Sequence, residues 1–191
     1  MKNRNNICIH WTGGNYIPCD EDLKAYHYLI DNLGRIYVGL YSPEDNINCY
    51  DGIYAKHCGG GNTNCIGIAA CGMFNYDEYK KETRYPLTKK QIESLCALVG
   101  HLSLERNIEV SIKRIFTHYE FEKTKPKSER KGKIDITYLH FMPYLNKDSV
   151  GHYLRNKIQW YKSKFQNNEY KLIKKGKYYE IIWVLKKLEI I

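Results

Sequence analysis

Helical spacing of apolar residues enters this chain only after Pro86, and that late start constrains the fold more than any other feature. Thr88 and Gln91 have the spacing of a capping box, and Ile92, Leu95, Cys96, Val99 and Leu102 form one apolar stripe. A helix with one face to bury is therefore expected there. The chain before it reads mostly as strand. Ile7-Cys8-Ile9-His10 is a short apolar run ending in an imidazole, AYHYLID and RIYVGL flank Asn32, Leu33 and Gly34 as a hairpin would, and CIGIAACG at 65–72 reads as a buried strand. Residues 41–64, rich in Asp, Asn and Gly and ending in HCGGGNTN, read as a long surface loop of the kind that lines sites.

Beyond the first helix, VSIKRIFTHYEF is expected as a strand with His118 near its end, followed by an exposed basic loop, KTKPKSERKGKID. Val150, Leu154, Ile158, Tyr161 and Phe165 recur at three- and four-residue intervals and predict a second helix over 148–166. In the last segment, EYKLIKKGKYYEIIWVLKKLEII, Lys-Gly separates two β-rich runs. That suggests a hairpin, although WVLKKL also fits a helix.

With 191 residues, 43% of them hydrophobic, the chain can bury one substantial core, expected over 1–147, plus a small extension over 148–191. A net charge of +9 points to a polyanionic partner: nucleic acid, cell-wall polymer or membrane surface. Ten Lys and Arg against three Glu after Gly151 concentrate that surplus at the C-terminal end. No nucleic-acid motif accompanies the charge, so nucleic acid is not the expected partner. Seven cysteines, an odd number with no CxxC pair, fit reduced thiols in a cytosolic product. The basic N-terminus lacks an apolar signal-peptide core, and no segment approaches the roughly 20 apolar residues of a membrane span. A soluble monomer, cytoplasmic when made, is expected.

Two strands ending in histidine, ICIH and RIFTH, and the Lys133-Ile134-Asp135 tripeptide carry the chemistry. Two imidazoles and one carboxylate form a catalytic zinc set with a fourth position open to water, provided the two strands are neighbours in one sheet. On spacing alone, His10 reads more readily as a buried histidine satisfied by backbone, and His118 as a solvent-facing residue, than either does as a ligand.

The order of the pieces weighs against those plainer readings. IHWTGG, YHYLIDNLGRIYVG, HCGGGNTNCIGIAACG, PLTKKQIESLCALVGHL, then IFTHYEF and KGKID, together resemble the zinc-dependent N-acetylmuramoyl-L-alanine amidases, the superfamily that includes the peptidoglycan recognition proteins. The resemblance covers roughly residues 7 to 145. It implies an α/β fold with a central mixed β-sheet flanked by helices, and a Zn2+ ion at the floor of a groove for bacterial peptidoglycan. It also implies His10, His118 and Asp135 as metal ligands, Tyr26 and Lys133 as catalytic helpers, and His57, Asn62 and Asn64 on a substrate-side loop. One departure stands out: several of these amidases carry a glutamate after the IGI strand, where this chain has Ala69 and Ala70. The resemblance thus points to the phage endolysin branch, in which tyrosine and lysine assist the metal. The alternative is a non-catalytic or regulatory peptidoglycan-binding protein on the same fold. The basic C-terminal region lies outside the resemblance and suits anionic envelope polymers.

Overall fold

In the computed structural model, which describes residues 5–184, the first strand β1 (Asn6–Trp11) lies near one edge of a seven-stranded sheet. A short helix α1 (Asp20–Ala25) leads to the hairpin β2 (Tyr28–Ile30) and β3 (Ile36–Val38), and the long loop returns to β4 (Cys65–Ala70). Next come α2 (Lys89–Glu105), β5 (Ile115–Thr117), α3 (His118–Thr124), α4 (Val150–Gln166) and the hairpin β6 (Tyr170–Lys175) and β7 (Tyr178–Trp183). The strand order is β5-β1-β4-β2-β3-β7-β6. β1 runs parallel to β4 and β5, and β2 parallel to β4, whereas β3, β7 and β6 join antiparallel. The sheet is mixed, as expected. No helix among the described residues is long and apolar enough to cross a membrane.

Alternation along β1 and β4 sorts the side chains onto two faces. Ile7, Ile9, Trp11, Ile66, Ile68 and Ala70 join α2 and α4 in the main core, packed against Ile92, Leu95, Leu98, Leu154 and Ile158. Cys8, Cys65, Ala69 and Cys71 fall into separate small clusters on the opposite face. The Thr88 capping box forms as read, and Gln91 also reaches across to the sheet, where its Nε2 donates to the carbonyls of Ile30 and Cys71, both at 2.7 Å. The predicted helix is thereby clamped to the ends of β2 and β4.

The segment expected as an extension is built into the same body. α4 contributes five of its six buried residues to the main core, and a Cβ at Gly100 would lie 2.9 Å from the backbone N of Lys162, so α2 and α4 meet backbone to backbone. β7 joins the sheet through Ile36 and Tyr179. The hairpin reading of the C-terminal segment holds through Trp183. The helical alternative for WVLKKL falls, from residue 185 onward, outside the described residues.

The strand expected over VSIKRIFTHYEF is limited to Ile115–Thr117, and HYEF is helical. Thr117 caps α3 by accepting from the backbone N–H of Glu120, and the Glu120 carboxylate accepts in turn from the Thr117 N–H. That local pairing ends the strand and makes His118 the first residue of a helix.

Candidate metal centre

His10 and His118 come from neighbouring parallel strands, at the end of β1 and just past β5, on the face opposite α2 and α4. Asp135 follows the basic loop, and its backbone carbonyl accepts from Tyr119 N at 2.7 Å, tying its loop to the first turn of α3. Glu120, in that turn, takes both guanidinium nitrogens of Arg155 at 2.8 Å. Helix α4 thus steadies the turn that presents His118. The two histidines and Asp135 are all buried.

One carboxylate oxygen sits between two imidazoles. Asp135 Oδ2 is 2.9 Å from His10 Nδ1 and 3.2 Å from His118 Nδ1, and the His10 and His118 rings are 4.7 Å apart. Three donor atoms of the zinc type therefore lie within 4.8 Å of one another. Around a tetrahedral zinc with bonds of about 2.0–2.1 Å, ligand atoms sit roughly 3.3 Å apart, so the donor set fits that ion in type and separation. Burial pulls the His10 imidazole below its ordinary pKa. Burial acts the same way on His118, but Asp135 and Cys58 beside it prevail and raise it to about 9. The same two imidazoles hold the Asp135 carboxyl well down in spite of its burial. Asp135 and Cys58 thus favour positive charge at His118, whereas burial governs His10.

Tyr26 lies on the same face, its ring 5.2 Å from that of His10, and burial followed by the charge of Asp135 pushes its phenol far up. Lys133 is exposed, two residues before Asp135, with no hydrogen bond or ion pair among the described residues. Ala69 pairs in register with His10 and is fully buried, so β4 presents a methyl group there.

The loop residues expected on the substrate side are placed differently. His57 is buried, 6% exposed, beneath the histidine cluster: its Nδ1 is 3.2 Å from His10 Nε2, and its Nε2 is 3.1 Å from the Cys65 carbonyl. Only glycine at position 67 leaves room for it, since a Cβ there would overlap the ring. Asn62 closes its own loop by accepting from Cys58 N at 2.8 Å. Asn64, in the left-handed region at φ 53°, bonds through its backbone to Asn6 and Asn46. It precedes β4 at the end away from Ala69, a span of about 16 Å along a strand. These three residues therefore do not form a substrate wall together. Gly59 and Gly60 do face open space, lining a groove of about 670 Å³ with Phe121, Lys125, Arg130 and Lys131, whereas Gly61 packs against Phe121 and Cys58.

Two residues that sequence reasoning missed organise the loop. Asn46 is fully buried; its Nδ2 donates to the carbonyls of Ala55 and Asn62, and its Oδ1 accepts from Ala55 N and faces His27 Nε2 at 2.9 Å. His27 Nδ1 in turn accepts from Gly67 N at 2.9 Å. Burial lowers the His27 pKa to about 4. The polar composition of residues 41–64 hides an asparagine that bonds inward.

The N-acetylmuramoyl-L-alanine amidase family model matches residues 2–133, and the chain belongs to that family. Among solved structures, the chain is similar to the Ph2119 endolysin from the Thermus scotoductus MAT2119 bacteriophage Ph2119, at 17% identity over 80% of this chain and 83% of that one, with a TM-score of 0.47. It is similar also to the Drosophila peptidoglycan recognition protein SD, at 19% identity over 62% and 71%, TM-score 0.43. A third is the N-acetylmuramyl-L-alanine amidase AmiD from E. coli, at 17% identity over 65% and 52%, TM-score 0.47. No curated protein matches the chain at a significant level.

Proposed function

We propose that this chain is a zinc-dependent amidase of the phage endolysin type, hydrolysing the bond between N-acetylmuramic acid and L-alanine in bacterial peptidoglycan. The observation that carries the proposal is the single Asp135 oxygen shared by His10 Nδ1 and His118 Nδ1. A bound zinc ion supplies Lewis acidity, polarising the scissile carbonyl and bringing the pKa of a water from about 15.7 toward about 7. His10, His118 and Asp135 hold it.

The protein's own groups then divide the remaining work. Tyr26 keeps its proton at neutral pH, so it acts as a hydrogen-bond donor to the oxygen that gains charge rather than as a base. Lys133 brings a cation on a long stem from the loop that leads into Asp135, suited to the same developing charge. One such donor is worth about 3 kcal/mol of transition-state stabilisation. The base role does not fall on β4, because Ala69 has no group that accepts a proton.

Dialysis against a chelator tests the reading. We expect release of free L-alanine N-termini from purified peptidoglycan to stop and to return with zinc, and activity indifferent to the chelator would refute it. Ala69 also favours a second reading, a peptidoglycan binder without turnover. His118→Ala separates the two: a binder keeps its pull-down on peptidoglycan and has no cleavage to lose. Exposed Lys171, Lys174, Lys175 and Lys177 suit anionic envelope polymers as a further partner. Attraction of that kind weakens with salt, and polymer binding unmoved by added salt would remove this part. The enzyme is read as a monomer made in the cytoplasm that reaches the wall after release; sedimentation and cell fractionation check both points.

A further inference from the structure

Among the described residues, His57 is the one buried imidazole that touches the metal centre without joining it, and its two nitrogens face unlike partners. Nε2 faces the Cys65 carbonyl at 3.1 Å, and a carbonyl only accepts, so this nitrogen carries the proton. With one proton on the ring, Nδ1 keeps a lone pair. It lies 3.2 Å from His10 Nε2, which must then be the donor. A proton on His10 Nε2 leaves His10 Nδ1 as the free donor atom, and Nδ1 is the atom that faces Asp135 at 2.9 Å. The direction of two bonds is thus set by a backbone carbonyl of β4, and His10 Nδ1 is left with its lone pair on the side of Asp135.

The surroundings hold His57 in that pose. The absent side chain at Gly67 makes room for its ring, and the His27 ring packs edge-on against it with centroids 5.7 Å apart. His27 is itself fixed between Gly67 N and Asn46, whose amide orientation is set by the carbonyls of Ala55 and Asn62. We propose that His57 is a positioning residue of the metal centre: through its hydrogen bond it keeps the proton of His10 on Nε2 and so presents Nδ1 to the ion. This rests on the zinc reading above. Partners of this kind orient a metal-binding imidazole and raise its basicity.

A rival use of the same atoms exists. Cys8, His10 and His57 offer donor atoms within 4.8 Å of one another, the separation a second ion would need. That use would take both nitrogens of His10 at once and strip both protons from its ring.

The test uses the full chain loaded with zinc. Zinc affinity is measured by chelator competition, and ring tautomers by nitrogen-15 correlation spectra. We expect one zinc per chain, with His10 and His57 both protonated on Nε2. His57→Leu, which removes the acceptor, should weaken zinc binding roughly 10- to 100-fold, and His57→Asn, which returns an oxygen near the Nδ1 position, should recover most of that loss. Zinc affinity in folded His57→Leu equal to that of the parent overturns the proposal, as does a proton on Nδ1 of zinc-loaded His10. Two zinc ions per chain, one of them lost with Cys8→Ala, would establish the rival site instead. Should His57→Leu not fold, the tautomers of the unaltered chain still decide. A parent that takes up no zinc sinks the zinc reading and this one with it, whereas a parent that binds zinc beside an unaffected variant sinks this one alone.

Discussion

The two faces of one strand pair follow opposite rules. Toward α2 and α4, β1 and β4 present Ile7, Ile9, Ile66 and Ile68, all within 1% of complete burial, and the contacts are interchangeable apolar packing. Toward the site, the same strands present Cys8, His10, Gly67 and Ala69, where almost every polar atom has one named partner. Adjacent residues such as Ile68 and Ala69 thus answer to different constraints. The first face resists unfolding through buried area, and the second spends burial on holding imidazoles, whose desolvation is offset only by specific bonds.

The sharpest way to separate the faces is Asp135→Ala. It should lower peptidoglycan cleavage at least about 1,000-fold and remove the zinc from the purified protein, while circular dichroism stays unchanged. An active Asp135→Ala protein would mean that the site face does not depend on this carboxylate. On the other face, Ile68→Ala should cost about 2–4 kcal/mol in urea unfolding and leave cleavage per folded molecule intact. A large loss of specific activity in that variant would show that the faces are coupled.

Smaller effects sharpen the division within the site face. Tyr26→Phe should reduce turnover roughly 100-fold with zinc content unchanged, as for a donor that acts on the reacting oxygen and not on the metal. Loss of zinc in Tyr26→Phe would instead make the phenol part of the cage. The mildest expected effect concerns His27, held near pKa 4 against an ordinary 6.5. Between those values the unfolded chain binds the extra proton and the folded chain does not, so stability rises with pH through the window and falls on acidification. Urea midpoints of the zinc-free protein at several pH values should show this slope, and His27→Gln should flatten it. An equal slope in both proteins would exclude His27 as its source.

Much of the helix face was legible along the chain. The stripe from Ile92 to Leu102 and that from Val150 to Phe165 both became buried faces, because a period of 3.6 depends only on neighbours. The Thr117–Glu120 box was equally local, and reading it as a strand end missed a pairing of the same spacing as Thr88 and Gln91. The site was legible in part: His10, His118 and Asp135 were found through the order of the family blocks, and the structure brings them together. His57, expected on the substrate side, lies buried beneath His10 instead. Its glycine-rich surroundings look like an exposed turn, and nothing within a few residues of it reveals His10, 47 positions away.

Capping and periodicity, written between near neighbours, suffice for α2, α4 and the two hairpins, and the order of the family blocks for His10, His118 and Asp135, whereas α1 and α3 are not among the expected elements. The inward turn of Asn46, the place of His57 under His10 and the grip of Arg155 on the first turn of α3 come from the assembled fold alone. Each of those placements depends on contacts between residues far apart in the chain, where burial makes an unpartnered polar group costly and leaves one arrangement that satisfies them all.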